Sequence, residues 1–179
     1  MKIPSNFEIN KYDLQVRLVN ENDASFILNL RSENKARFLS AVAHDAELQK
    51  QWIHQYKIRE QAGLDYYFIY YKNGIPLGLN RIYNIKEDSF VGGSFIFTSG
   101  CDFEIPILAT LIEDYVGFEI LGKSARFGNI HKDNKKAIKF NKLYGADFIY
   151  EDENEIFLIT TKNMYCKIKE KLERVFNVS

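Results

Sequence analysis

The chain has 179 residues, 46% hydrophobic and 27% charged, a size and balance suited to one soluble globular domain with a substantial core. Its 24 Lys and Arg offset 24 Asp and Glu without any long basic block, which argues against nucleic acid as the main partner. Neither a signal-peptide core nor a run of membrane-span length occurs, and two cysteines are too few for a disulfide framework, so a cytoplasmic chain without a membrane partner is expected.

Residues through Lys11 are polar and unpatterned and read as an N-terminal arm, 1–11. Leu14, Val16 and Leu18 alternate with polar residues, as in a half-buried strand. Asn22 or Asp23 caps a helix carrying Phe26, Ile27 and Leu30 and ending near Arg31. From Ser32 to His44 the pattern is weak and reads as a loop with a helical turn. A second helix follows Asp45, with Leu48, Trp52, Ile53 and Tyr56 as its expected buried stripe, and Gly63 ends it.

The run from Tyr66 to Tyr71 is apolar on both parities, which suits a central strand covered on two faces. Asn73-Gly74 supplies a tight hairpin turn, and the chain returns as Ile75 to Ile85 and then, past Lys86-Glu87-Asp88, as Ser89 to Thr98. Gly92-Gly93 inside that last strand marks either a bulge or a close approach by another backbone or a ligand. Ser99-Gly100 breaks the pattern, and Pro106 suits the first turn of a helix bearing Leu108, Leu111, Ile112, Tyr115 and Phe118 and closed by Gly122.

A strand from Ala125 to Ile130 precedes a helix opened by Asn134 and closed by Gly145, a residue type that caps and a residue type that stops. Ala137, Phe140, Asn141 and Tyr144 share one face of it, while Lys135, Lys139 and Lys142 form a basic one, either simply solvated or facing ligand phosphates. Strands Ala146 to Tyr150 and Ile156 to Thr160 follow, then a helix from Asn163 to Phe176 with Tyr165, Ile168, Leu172 and Val175 toward the core. No repeat or linker interrupts 1–179, and helices mixed with a largely antiparallel sheet give an α+β (mixed α/β) layer fold.

This order resembles the GNAT acetyltransferase superfamily over about Leu14 to Thr161. The family pattern N-x-x-A-x-x-[FL]-Y-x-x-x-G-[FA] is met by Asn134, Ala137, Phe140, Gly145 and Ala146, with Asn141 where the family has tyrosine. Val16-Arg17-Leu18 followed by Asn22-Asp23-Ala24 is similar to the family's first strand and helix entry. The resemblance implies a central, mostly antiparallel, twisted sheet of about seven strands flanked by helices, and acetyl-CoA as cosubstrate with no metal. A diphosphate needs clustered backbone N–H donors, which a glycine-containing turn at a helix N-terminus provides. The family's turn, [QR]-x-x-G-x-[GA], corresponds to Thr98-Ser99-Gly100-Cys101-Asp102-Phe103, which lacks the basic residue and the second glycine. Ser99, Gly100 and Cys101 are therefore expected at the diphosphate. The resemblance puts Asn134 and Asn141 beside the pantetheine and the backbone of Phe95, Ile96 and Phe97 at the thioester carbonyl.

Acyl transfer to an amine needs a neutral nucleophile, a polarised carbonyl and a proton for the departing thiolate. A thiol with a pKa of about 8.5 leaves without much help, so a dedicated acid is useful but dispensable. Asparagine cannot donate a proton at neutral pH; Tyr144, one turn on, is the candidate substitute. His131 and His44 are the candidate bases. Arg31, Trp52, Arg81 and Tyr83 come from segments that line the acceptor side in related folds, and an arginine on a central strand needs an acidic partner from the protein or from a phosphorylated acceptor. Histidines and cysteines lack metal-ligand spacing, and no P-loop or dinucleotide fingerprint occurs. The expected activity is acetyl-CoA-dependent N-acetylation of a small-molecule primary amine by direct attack in a ternary complex. The aromatic loading and shape of the first half resemble bacterial GNAT enzymes that acetylate nucleotide-linked amino sugars, which makes such a sugar one candidate acceptor. Acetylation of a protein N-terminus and non-catalytic acyl-CoA binding are the alternatives. A homodimer is compatible with the sequence.

Overall fold

The computed structural model describes residues 2–39 and 45–178. In chain order the elements are β1 (Glu8–Lys11), β2 (Leu14–Leu18), α1 (Ala24–Ser32), α2 (Ala46–Ala62), β3 (Asp65–Lys72), β4 (Ile75–Tyr83), β5 (Ser89–Phe97), α3 (Glu104–Tyr115), β6 (Ala125–His131), α4 (Lys135–Tyr144), β7 (Asp147–Glu151), β8 (Glu155–Thr161) and α5 (Lys162–Phe176). The strands form one sheet in the order β1-β2-β3-β4-β5-β6-β8-β7. Neighbours are antiparallel except β5 and β6, which run parallel. The mixed α/β architecture expected from the sequence is present, with eight strands among the described residues rather than about seven.

Strand β3 organises the packing. Its side chains alternate between faces, so Tyr66, Phe68 and Tyr70 join Leu108, Leu111, Ile112, Phe118 and Tyr165 beneath α3 and α5. Tyr67 and Ile69 join Ile27, Leu30, Ile53 and Tyr56 beneath α1 and α2. Each fully buried side chain of this kind contributes about 1.5–3 kcal/mol relative to exposure. A smaller cluster of Ile130, Ala146 and Leu158 seats α4.

The additional strand is β1, in what reads as an unpatterned arm. Lys11 pairs with Leu14, and the two residues between them, Tyr12 and Asp13, carry φ of 56° and 58°. Such a turn is usually marked by glycine or asparagine, so its sequence signal is weak here. Ile3, Phe7 and Tyr12 are buried in the main core. Two expected stripes also shift. On α2 the buried positions are Gln49, Ile53, Tyr56 and Glu60, while Leu48 and Trp52 are 48% and 38% exposed. The polar members tolerate burial because the Tyr56 hydroxyl donates to Glu60 and accepts from Tyr67 N at 2.9 Å. On α5, Val175 is exposed and Ile168, Leu172 and Phe176 pack inward.

Candidate active site

Strands β5 and β6 pair over only three residues, Ser89 to Val91 against Ala125 to Phe127, and then part. The gap opens into a cavity of about 740 Å³. A bulge in β5 shapes its wall. Leu79 pairs with Ile96 and Arg81 with Gly93, so Ser94 and Phe95 together oppose Asn80. The left-handed residue is Ser94, with φ of 51°, not either glycine. The glycines serve close approach instead: a Cβ on Gly92 would lie 2.5 Å from Glu113 Oε1, and one on Gly93 would lie 2.9 Å from the Tyr83 ring. The bulge expected at Gly92-Gly93 is thus present just beyond them, and the groups that crowd the two glycines are side chains rather than another backbone.

Of the residues singled out by sequence, Arg81, Tyr83, Phe95, Ile96, Phe97, His131, Asn134 and Asn141 meet around this cavity. Phe140 joins them, its ring 5.5 Å from that of Phe95. Asn134 Oδ1 accepts from Ala137 N at 3.2 Å and so caps α4, and Asn141 Nδ2 donates to Ala137 O at 3.0 Å. The His131 ring lies tilted against that of Phe38, 5.3 Å between centroids, with Nδ1 accepting from Asp133 N at 3.1 Å.

Tyr144 takes a different place. It is 5% exposed, its hydroxyl donates to Asp114 Oδ2 at 2.8 Å, and it does not line the cavity. Burial, reinforced by the Asp114 carboxylate, holds its pKa far above that of a free phenol, which opposes the role of general acid. Ser99, Gly100 and Cys101 lie beyond the cavity, ahead of α3. There Gly100 has a φ of 86° and Ser99 Oγ donates to Glu33 Oε2 at 2.9 Å. The first turn of α3 has no side-chain cap. Arg31 and Trp52 lie outside the cavity lining, and His44 lies outside the described residues.

Arg81 has an acidic partner within the protein. Its Nε donates to Asp65 Oδ1 at 2.6 Å and a second guanidinium nitrogen to Oδ2, while Arg59 Nε reaches the same Oδ2 at 2.9 Å. Two guanidinium groups share one carboxylate, so this cluster carries a net positive charge. Trp52 sits between them, 5.6 Å from the Arg59 guanidinium and 5.4 Å from that of Arg81.

A buried polar group under the sheet went unrecognised in the sequence. Arg126 on β6 lies 3.6 Å from Glu113 Oε2 and 3.0 Å from Asp114 Oδ1, and donates to Thr160 Oγ1 at 3.1 Å. Asn80 Nδ2 donates to Glu113 Oε2 at 3.3 Å, and the Tyr70 hydroxyl donates to Asn80 Oδ1 at 2.9 Å. Burial raises the pKa of both acids. One arginine cannot neutralise two buried carboxylates. Asp114 has the shorter arginine contact and the Tyr144 donor, and Glu113 keeps its proton up to about 8. The sequence signal was present: adjacent acids, Glu113-Asp114, inside an otherwise apolar helix.

A scan of protein-family models found no match, and a search of curated proteins found none. Solved structures do match. FdhC, described as a nucleotide-linked sugar GNAT, shares 32% identity over 94% of this chain and 98% of its own, with a TM-score of 0.84. Ribosomal-protein-S5-alanine acetyltransferase from Vibrio fischeri matches at 18% identity over 89% of this chain and 99% of its own, TM-score 0.74. A mutant of the spermidine N-acetyltransferase SpeG from Vibrio cholerae matches at 14% over 86% and 96%, TM-score 0.71. The last two share the fold. With the parted strands, the bulge and the glycine-closed α4 in place, and with the identity to FdhC extending over nearly the whole chain, the protein belongs to the GNAT family of N-acyltransferases.

Proposed function

We propose that the protein moves an acetyl group from acetyl-CoA to the primary amine of a nucleotide-linked amino sugar, by direct attack in a ternary complex. The observation that carries the reading is the cavity between β5 and β6, bounded by backbone and aromatic rings at one end and by Arg81 and Tyr83 at the other. Acetyl-CoA supplies an activated acyl thioester. Phe95, Ile96 and Phe97 would hold its pantetheine arm and offer backbone N–H groups to the carbonyl, with Asn134 and Asn141 across the gap. Ser99, Gly100 and Cys101, with the uncapped first turn of α3, would meet the diphosphate.

The acceptor side favours an anion. A free Arg81 would have marked a phosphate site directly; instead Arg81 and Arg59 share Asp65 and leave one positive charge beside the partly exposed Trp52 indole. A flat aromatic next to excess guanidinium charge suits a nucleoside diphosphate. Acetylation of a protein N-terminus is better served by an acidic groove. The 32% identity to FdhC supports the same acceptor class.

The test has two stages. CoA and acetyl-CoA at millimolar concentration are expected to raise the Tm, since a ligand at a hundredfold its Kd stabilises by about 2.7 kcal/mol; no shift with either removes the donor assignment. Thiol release is then followed with UDP- and dTDP-linked amino sugars, spermidine and an alanine-terminated peptide. Turnover is expected with a sugar nucleotide. Turnover confined to the peptide or the polyamine overturns the acceptor assignment, and donor binding without turnover on any amine indicates a binding module.

A further inference from the structure

Where β5 and β6 part, the first unpaired residues are Gly92 and Gly128, and a Cβ on Gly128 would stand only 3.7 Å from Gly92 O. The apex of the cavity is thus a window with no side chains of its own. Directly behind it lies Glu113. Its side chain is 2% exposed in residue terms yet borders the cavity, and its Oε1 finds no hydrogen-bond donor among the described residues. The other oxygen faces Asn80 and Arg126. A buried carboxyl with one satisfied and one unsatisfied oxygen, the latter turned to a glycine opening, is placed to exchange a proton with a group on the far side of that opening.

We propose that Glu113 is the proton acceptor for the substrate amine, taking the proton through the Gly92–Gly128 window, directly or through one water. The proposal rests on the N-acyltransfer reading above. The substrate ammonium gives one proton to the Glu113 carboxylate and becomes a neutral amine. Its nitrogen then bonds to the acyl carbon as the carbon–sulfur bond breaks. The second nitrogen proton leaves with the sulfur as CoA thiol, and Glu113 returns its own proton to solvent. The sum is ammonium plus thioester giving amide, thiol and one proton.

The surroundings tune the group for this task. Burial raises its pKa, Arg126 on β6 lowers it, and Asp114 on its own helix raises it, leaving it at about 8. Tyr70 on β3, Tyr83 on β4 and Tyr144 on α4 feel its charge but stay protonated, their own pKa values raised by burial. A base with a pKa near the working pH is ionised often enough to accept and basic enough to matter. His131, the cavity's histidine, is the competing base.

The experiment compares wild type, Glu113→Gln, Glu113→Asp and His131→Gln with two nucleotide-linked amino sugars whose amines differ in pKa. Wild-type kcat/KM is expected to rise with pH to a plateau, with a midpoint near 8 that is the same for both acceptors. Glu113→Gln is expected to lower the plateau by about a hundredfold or more and to leave a midpoint that follows the amine, with Glu113→Asp and His131→Gln keeping the wild-type limb. In the ligand-free protein, one 13C-labelled glutamate carboxyl should titrate near pH 8 in wild type and be missing from Glu113→Gln. An unchanged limb in Glu113→Gln overturns the proposal, as does a wild-type midpoint that tracks the amine, which decides the matter even where Glu113→Gln fails to fold. A wild type inactive on every amine removes the acyl-transfer reading and this proposal with it, whereas an active wild type with an indifferent Glu113 removes this proposal alone.

Discussion

Asp65 and Arg81 grip one another between adjacent strands, with Arg81 Nε 2.6 Å from Asp65 Oδ1 and a second nitrogen on Oδ2. Asp65 is 1% exposed, so its charge depends on that fork and on Arg59. Asp65→Asn is expected to cost about 3 kcal/mol in denaturant unfolding, because two partly buried guanidinium groups lose their anion. Arg81→Ala should cost less, since Arg59 still pairs with Asp65. Equal losses would show that Arg59 adds nothing.

Tyr144→Phe separates the acid role from the packing role. Removing the hydroxyl leaves Asp114 Oδ2 without its donor, a loss of about 1.5–3 kcal/mol for a bond to a charged group. Thiol-release rates per folded molecule should change less than threefold. A loss of a hundredfold at unchanged KM would restore Tyr144 as the proton donor.

Gly92→Ala places a methyl 2.5 Å from Glu113 Oε1 and 3.1 Å from Arg126 Cδ. Neither neighbour is free to retreat, both being buried. Overpacking of this kind costs about 1–3 kcal/mol. Gly93→Ala meets only the Tyr83 ring, a more yielding neighbour at the cavity edge, and should be milder in the same melting experiment.

The pH dependence of stability carries the mark of Glu113. Its folded pKa, about 8, lies above the unfolded value of 4.5. Below 4.5 both states hold the proton and the contribution is complete. Between 4.5 and 8 the unfolded chain gives up the proton while the folded one keeps it, so stability falls as pH rises. The difference between wild type and Glu113→Gln in urea unfolding should therefore decline across that window, by on the order of a few kcal/mol, and level off above it. A flat difference would mean that Arg126 holds the carboxylate ionised.

On the proposed function, Trp52→Ala should raise KM for a nucleotide-linked acceptor about tenfold while leaving KM for acetyl-CoA unchanged, the indole lying outside the lining of the β5–β6 cavity. Steady-state kinetics with each substrate varied in turn would show it. An effect on both constants would point to a general loosening of α2, where Trp52 stacks on Tyr56 at 5.9 Å.

The sequence made the middle of the fold legible because its signals are local. Asn73-Gly74 has φ of 52° and 76° and joins Lys72 to Ile75, and Asn134 and Gly145 bound α4 through their own side chain and backbone. What it concealed depends on contacts distant in sequence. Trp52 and Leu48 look like core residues by spacing, yet the helix is rotated so that Gln49 and Glu60 face inward. The partner of Arg81 is 16 residues away and that of Arg126 is 12 away, on different elements. The bulge was readable in place but not in detail, since the strained residue is a serine. Tyr144 shares the helical face that sequence assigned it, but that face turns partly into the protein beside Asp114 and only partly toward the cavity.

The three residue pairs that tie β5 to β6 make the sheet two blades on a narrow hinge, β1 to β5 on one side and β6, β8 and β7 on the other. The Arg126 cluster is a second fastening, since it bolts β6 to α3 through Glu113 and Asp114. A molecule lodged in the gap touches both blades and acts as a keystone, so its binding free energy adds to the cohesion of the two halves. On the proposed reading the donor is then a structural member as well as a reagent, and release of CoA would return the protein to its least braced condition.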